Sequence, residues 1–213
     1  MTYEAVAVTE PLRQGDIFQA IPRVDIAMDK LQVMESDNTH VETTWEEKLL
    51  ESGVNEPVLA LATVKPVKAI IIGQDCDLAH SEFVSLCEIQ SYSDVFKDAV
   101  HKDPKKWQAF ITKKSRENLR FFYLPEGPFE GLGSRMAADL RVLIRIRRDD
   151  LEAARPRRTA RLNQVAHEHF RESIAQYFRR YPYDEWYPLT KDEFSAYRAA
   201  KQDDTIPAFP WQE

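Results

Sequence analysis

The sequence has few cysteines and no long apolar run. Its 213 residues include only two cysteines, Cys76 and Cys87. A disulfide framework therefore does not organise the fold, and a reducing cytoplasm fits this composition. No apolar stretch approaches the roughly 20 residues of a membrane-spanning helix, and the first residues lack the basic and apolar regions of a signal peptide. We therefore expect a cytoplasmic protein that does not contact a membrane.

Internal repeats and low-complexity segments are also lacking. Hydrophobic residues make up 43% of the chain and charged residues 30%, which is typical of an ordinary globular protein and excludes a disordered one. A chain of this length has room for one full domain with a sizeable core and is short for two.

Lysine is absent from residues 141–180, although this segment is strongly basic. It holds eleven arginines and five acidic residues, a net charge of +6 in a chain whose net charge is −6. Guanidinium groups suit forked contacts to phosphates or carboxylates. Alternatively, the segment neutralises the acidic remainder of the same protein or of a second copy. Both interpretations stay open at this point.

The order of elements predicts strands first and helices last. Short stretches rich in β-branched residues and bounded by prolines predict strands. These strands lie around Ile17, Val24, Val64, Ile70, Leu86, Phe122 and Val142. We expect breaks at Pro22 and Pro66, and a central strand at 67–73 that ends in the polar segment Gln74–Asp77. The strand around Leu86 has apolar residues on both faces, which favours a central position.

Four segments have helical patterns. The acidic segment at about 35–57 reads as an insertion, with a short helix that ends at Gly53. Pro104 suits the first turn of a helix that begins at Asp103. Apolar residues recur every three or four positions over 159–181, and Thr190 begins a capping box with Glu193. The pattern predicts an α+β fold with a small curved sheet or barrel over 1–158 and a helical layer with an aromatic tail over 159–213.

The segment Gln74–Leu78, "QDCDL", with His80 nearby, is the first candidate site. A catalytic centre would use Cys76 as the nucleophile, His80 as the acid/base and Asp77 or Asp75 to orient the imidazole. The alternative places Cys76 in the core, as is common for free cysteine, and uses the aspartates to close a turn.

Metal binding at this segment is a second interpretation. Cys76, His80, Cys87 and His101 are residue types that bind zinc, but their spacing matches no standard zinc finger. Asp75 and Asp77 are ligand types for Mg²⁺, although two acidic residues in a turn are common. We therefore expect neither a metal site nor a cofactor.

The arginine stripe is the second candidate site. Arg141, Arg145 and Arg147 lie on one face of a predicted strand, where they would bind phosphates. In the alternative, this face is solvated and pairs with acidic residues. Because the whole chain is acidic, only a local groove suits nucleic acid. His167 and His169 are two residues apart on the predicted helix, so they form no metal pair, and we expect His167 in solvent.

Two resemblances follow from these motifs. The segments 12–18, "LRQGDIF", and 67–75, "VKAIIIGQD", resemble the first strands of PemK/MazF-like ribonuclease toxins, although Gln14 interrupts the family's Arg-Gly-Asp. This resemblance implies an SH3-like barrel and metal-free cleavage of single-stranded RNA. "QDCDL", "RFFYLP" and the helix at 160–181 are similar to an uncharacterised bacterial family for which we know no activity.

Two functions of different classes follow. The first is a phosphate-facing protein that acts on single-stranded RNA, as an effector of a toxin–antitoxin or phage-defence system. Its phosphate-binding residues would be Arg141, Arg145 and Arg147, and its catalytic residues Cys76, Asp77 and His80. The second is a non-catalytic subunit that binds a protein encoded nearby through the insertion and the C-terminal tail.

Overall fold

A computed structural model describes residues 2–34, 39–95, 119–179 and 184–213. Within these ranges the strands are β1 (Tyr3–Glu4), β2 (Asp16–Val24), β3 (Leu31–Met34), β4 (His40–Thr43), β5 (Ala60–Leu61), β6 (Val64–Ile71), β7 (Phe83–Ser91), β8 (Phe121–Leu124), β9 (Met136–Arg147) and β10 (Arg158–Leu162). The helices are α1 (Trp45–Ser52), α2 (Asp75–His80), α3 (Tyr92–Val95), α4 (Arg148–Ala153), α5 (Gln164–Phe178) and α6 (Lys191–Lys201), with a 3₁₀ turn at Arg155–Arg157. The helix expected from Asp103 lies outside the described residues.

A seven-stranded antiparallel sheet is the centre of the fold. Its strand order is β1-β10-β2-β6-β7-β9-β8, so the described sheet has β1 and β8 as edges and does not close into a barrel. The α+β class is confirmed, and so is the central position of β7, which pairs with β6 and β9.

The prolines that were expected to break two strands lie inside them. Pro22 of β2 faces Pro66 of β6. At this end of the pair, β10 no longer follows β2 and β7 no longer follows β6. Here β2 and β6 pair only with each other, so the backbone on their outer edges donates no N–H to a further strand. Proline, which lacks this N–H, is therefore tolerated at both positions. The irregularity in β2 instead falls between Phe18 and Ile21, where Ala20 has a φ of 52°.

The core lies between the sheet and short flanking helices. Phe18, Ile71 and Leu86 are buried in it together with Leu78 of α2 and Leu151 of α4. The alternation expected along β9 from Leu140 is confirmed: Leu140, Val142, Ile144 and Ile146 are buried or half-buried, and the arginines between them are exposed. At the edge of the sheet, Gly127 lies so close to the Tyr3 ring that an added Cβ would be 2.6 Å from Cδ2.

The acidic insertion at about 35–57 contains α1 and β4, and β4 belongs to a second, small sheet. Its strand order is β4-β3-β5. Helix α1 is confirmed, because Thr44 and Glu47 cap each other's backbone N–H and Gly53 follows the last turn. The helix exposes all of its hydrophobic positions to some degree.

The chain divides into two compact units, Met1–Ile174 and Ala175–Glu213. Strand β10 belongs to the large sheet, so residues 159–162 are strand and helix α5 begins at Gln164. In the second unit, Thr190 and Glu193 form the expected capping box of α6. The ring of Phe209 stacks on Trp211 at 5.0 Å. Among the described residues, no helix combines the length and apolarity needed to cross a membrane.

Candidate functional site

The segment expected to be the polar end of a strand is a helix. Strand β6 ends at Ile71, and the backbone N–H groups of Ile72 and Gly73 both donate to the carbonyl of Ser85. Helix α2 then begins after Gln74 and buries Leu78 in the core. The backbone N–H of Leu78 donates to the carbonyl of Gln74 at 3.0 Å, which is the bond that closes a helical turn.

The predicted catalytic residues all lie on α2 and are exposed. Cys76 and His80 are four residues apart, which places them on the same face of the helix. The Sγ atom of Cys76 lies 3.7 Å from Oδ1 of Asp77 and 3.8 Å from Oε1 of Gln74. The interpretation that buries Cys76 is therefore wrong.

The second cysteine lies in a different environment. Cys87 is fully buried in β7, and burial, followed by the charge of Asp139, raises the pKa of its thiol. The structure thus separates Cys87 from the exposed Cys76, and His101 lies outside the described residues. Within the described ranges, no group of three His, Cys, Asp or Glu side chains is arranged to hold a metal ion.

The arginine stripe lies on the exposed side of β9, and a bulge divides it. The register between β7 and β9 shifts where Cys87 pairs with Leu143 and Glu88 with Asp139. Arg141 lies at this bulge, with Nε 4.0 Å from Oδ1 of the buried Asp139. Arg145 lies beyond it, and its guanidinium is 4.1 Å above the centre of the Phe83 ring.

Arg145 and Arg147 line a cavity of about 380 Å³, which we call the arginine cavity. Phe83 and Arg157 also line it. The side chain of Arg157 donates to the carbonyl of Ala20, which anchors it at the cavity wall. Asp150 is the acidic residue in the lining, so three guanidinium groups face one carboxylate. Arg141 lies four residues before Arg145 on the strand.

Two other arginines of the basic segment point inward. Arg158 and Arg161 both pair with Asp16, whose side chain is fully buried. We call these three residues the Asp16 cluster. The guanidinium of Arg158 also donates to the carbonyls of Ala7 and Glu10. These arginines therefore hold the N-terminal segment against the sheet.

A second concave site lies between α2 and the first turn of α5. It has a volume of about 290 Å³ and we call it the polar pocket. Its lining residues are Glu4, Arg13, Gln14, Asp75, Arg161, Leu162, Gln164 and His167. Seven of these eight residues are polar or charged, so the site suits a ligand with several hydrogen-bonding groups.

His167 is the residue of this pocket that sequence reasoning missed. It was expected in solvent but is half-buried, with Nε2 3.1 Å from Oε1 of Gln14. Desolvation, aided by the charges of Arg171 and Arg13, lowers its pKa against the opposing effect of Asp75. One local signal was available: Asn163 caps the helix, which places His167 in the first turn after β10.

Comparisons with protein-family models, with curated proteins and with solved structures found no match to this chain. The function is therefore inferred from the arginine cavity, the exposed residues of α2 and the polar pocket.

Proposed function

We propose that the protein binds single-stranded RNA at the arginine cavity, as an effector of a toxin or defence system. The observation that carries this proposal is that Arg145, Arg147 and Arg157 line one cavity together with Phe83, whose ring lies beneath the Arg145 guanidinium. Guanidinium groups pair with phosphates, and both aromatic rings and guanidinium planes provide stacking surfaces for unpaired bases. The cavity is local, which agrees with the acidic charge of the whole chain.

The resemblance to PemK/MazF-like toxins supports the choice of RNA as the ligand. We propose an SH3-like relationship for β2, β6 and β7, because each resembling segment lies partly on one of these strands. Strand β2 contains the motif that ends the first segment, and it pairs directly with β6, which contains most of the second.

If the bound RNA is cleaved, we propose that the reaction centre is on α2. The side chain of Arg148 donates to the carbonyl of Ala79, and its backbone N–H donates to the carbonyl of Glu82. These bonds tie the end of α2 to the end of β9, so His80 and Arg147 lie at the same end of the sheet. His80 would act as the acid/base, with Asp77 orienting it and Cys76 beside them.

The test is fluorescence anisotropy of a labelled single-stranded RNA at two salt concentrations. Each phosphate neutralised on a single strand contributes about −0.7 to the slope of log K against log salt. The Arg145→Glu/Arg147→Glu variant should therefore weaken binding and make the slope shallower by about 1.4. Lys191→Glu in α6 is the control for charge reversal outside the cavity, and Arg141→Glu tests whether the groove extends past the bulge.

Absence of binding at low salt, or an equal loss in Lys191→Glu, would refute the proposal. The same samples run on a denaturing gel test cleavage. Cleavage that is lost in His80→Ala and Cys76→Ala while RNA binding persists would support the centre on α2. Cleavage unaffected by both variants would exclude it.

A second candidate function is favoured by exposed apolar residues within the insertion and directly after it. Leu50, Val54 and Leu59 are 88%, 78% and 66% exposed, and residues 35–57 carry seven acidic residues against one lysine. Exposed apolar side chains in an acidic segment suit a protein partner that offers apolar and basic groups. The exposed Trp211 of the tail would contribute to the same kind of contact.

This candidate is tested by copurification with a protein encoded nearby. The purified pair should reassociate, and Leu50→Asp/Val54→Asp should abolish the complex, while Arg145→Glu/Arg147→Glu leaves it intact. Reassociation that is insensitive to the Leu50 and Val54 substitutions would reject the insertion as the interface.

A further inference from the structure

The polar pocket has a preorganised hydrogen-bond chain at its base. Gln14 is 5% exposed, and its Nε2 donates to the carbonyl of Ile72 at 2.7 Å. This bond fixes the orientation of the amide, so Oε1 is the atom that faces Nε2 of His167 at 3.1 Å. Because an amide oxygen only accepts, Nε2 of His167 must carry the hydrogen. In the neutral imidazole, Nδ1 is then left as an acceptor.

The same residue positions a carboxylate beside this histidine. The backbone N–H of Gln14 donates to Oδ1 of Asp75 at 2.8 Å, which leaves the second oxygen of Asp75 as a further acceptor. The charge of Asp75 raises the pKa of His167 and the charge of Arg13 lowers it. The two charges therefore act on the imidazole in opposite directions.

The charges that line the pocket indicate the kind of ligand. Glu4 and Asp75 are acidic and Arg13 and Arg161 are basic, but Arg161 is already bound to Asp16 and Glu10. A phosphate would bring a further negative charge to two carboxylates and to the guanidinium of Arg13, for which the described part of the chain supplies no ion-pair partner. A simple cation would leave that guanidinium unmatched. A ligand with an ammonium group beside a carboxylate matches both signs.

We propose that the polar pocket binds a free α-amino acid. Its ammonium group has three donors, and the lining residues that can accept them are Asp75, Glu4 and, through Nδ1, His167. Its carboxylate would pair with the exposed guanidinium of Arg13. A peptide terminus carries only one of these two groups, so the pocket distinguishes a free amino acid from a chain end. The site does not share lining residues with the arginine cavity.

The experiment titrates the whole protein with the set of free L-amino acids and follows backbone amide NMR signals. We expect at least one amino acid to give saturable shifts at Gln14, Asp75 and His167, with a dissociation constant of about 1 mM or lower. The N-acetyl derivative of that amino acid lacks the ammonium group and its amide derivative lacks the carboxylate. Each derivative should bind at least about tenfold more weakly, which corresponds to one lost charged contact.

Two variants test the assigned contacts. Arg13→Gln should weaken binding of the amino acid more than binding of its amide derivative. Asp75→Asn should weaken binding of the amino acid more than binding of its N-acetyl derivative. Asp77→Asn, an exposed aspartate on the same helix, is the matched control and should bind as the wild type does. Arg145→Glu/Arg147→Glu should also bind normally, which separates this site from the RNA proposal.

Three results would overturn the inference. The first is no saturable shift with any amino acid up to about 10 mM, an affinity too weak for a specific site. The second is equal binding of the amino acid and both blocked derivatives. The third is an equal loss in Asp75→Asn and Asp77→Asn. The first two results use the wild-type protein, so they do not depend on whether a variant folds.

Discussion

Removing the Asp16 carboxylate should destabilise the protein severely. Asp16 is completely buried and accepts from Nη1 of Arg158 at 2.8 Å and from Nε of Arg161 at 2.5 Å. It also accepts the backbone N–H of Arg13 at 2.9 Å. Asp16→Ala would leave two buried guanidinium groups without this carboxylate, and only Arg161 retains another, from the half-exposed Glu10.

The size of the effect follows from this burial. Breaking a buried ion pair by removing one partner costs about 3–5 kcal/mol, a large part of the roughly 5–15 kcal/mol by which proteins are stable. At about 2–4 °C per kcal/mol for a chain of this size, Tm should fall by about 6–20 °C. Arg158 holds the carbonyls of Ala7 and Glu10, so the N-terminal segment that contains them should also become accessible to proteolysis.

The assay is thermal unfolding with limited proteolysis of the N-terminal segment. The control is Asp25→Ala, because Asp25 pairs with Arg23 and Lys65 on the surface, where its side chain is 47% exposed. Exposed pairs contribute little to stability, so this variant should unfold near the wild-type temperature. A change in Asp16→Ala no larger than in Asp25→Ala would refute the structural role of the Asp16 cluster.

Three further predictions follow from burial and close contacts. In the native protein, an alkylating reagent should modify Cys76 within minutes and leave Cys87 unmodified until denaturant is added; Cys76→Ser should then abolish native labelling, and any remaining labelling would contradict the burial of Cys87. The pKa of His167 is lowered from 6.5 in the folded state, so the unfolded state takes up the proton first as pH falls below that value. The free energy of unfolding of the wild type should therefore fall more steeply than that of His167→Gln between pH 7.5 and 5.5, and parallel curves would exclude the effect. Finally, Gly127→Ala should cost about 1–3 kcal/mol by displacing the adjacent aromatic ring, whereas Gly133→Ala, whose added Cβ meets nothing within 4 Å, should be nearly neutral in urea unfolding.

Local features of the fold could be predicted from the sequence because their partners are close along the chain. The capping boxes at Thr44 and Thr190 each involve a glutamate three residues later. The alternation along β9 depends only on the two-residue period of a strand, and it exposes Arg145 and Arg147 as expected. The α+β class follows from the order of such local patterns.

Other features depended on neighbours that the sequence does not reveal. Proline is accommodated in β2 and β6 because neighbouring strands stop pairing there. "QDCDL" forms a helix because Leu78 reaches a core built by distant strands.

The sequence by itself determined the α+β class, the positions of most strands, the capped helices and the exposed arginines of β9, since each depends on residues within one turn or one strand. Only the tertiary structure decided which arginines face inward, because Asp16 and Arg158 are separated by 142 positions. It alone joined Gln14, Asp75 and His167 into one pocket, with contacts across 61 and 153 positions. Sites of this kind are formed by long-range pairing of strands, and the periodicity of a sequence carries no information about which distant side chains that pairing brings together.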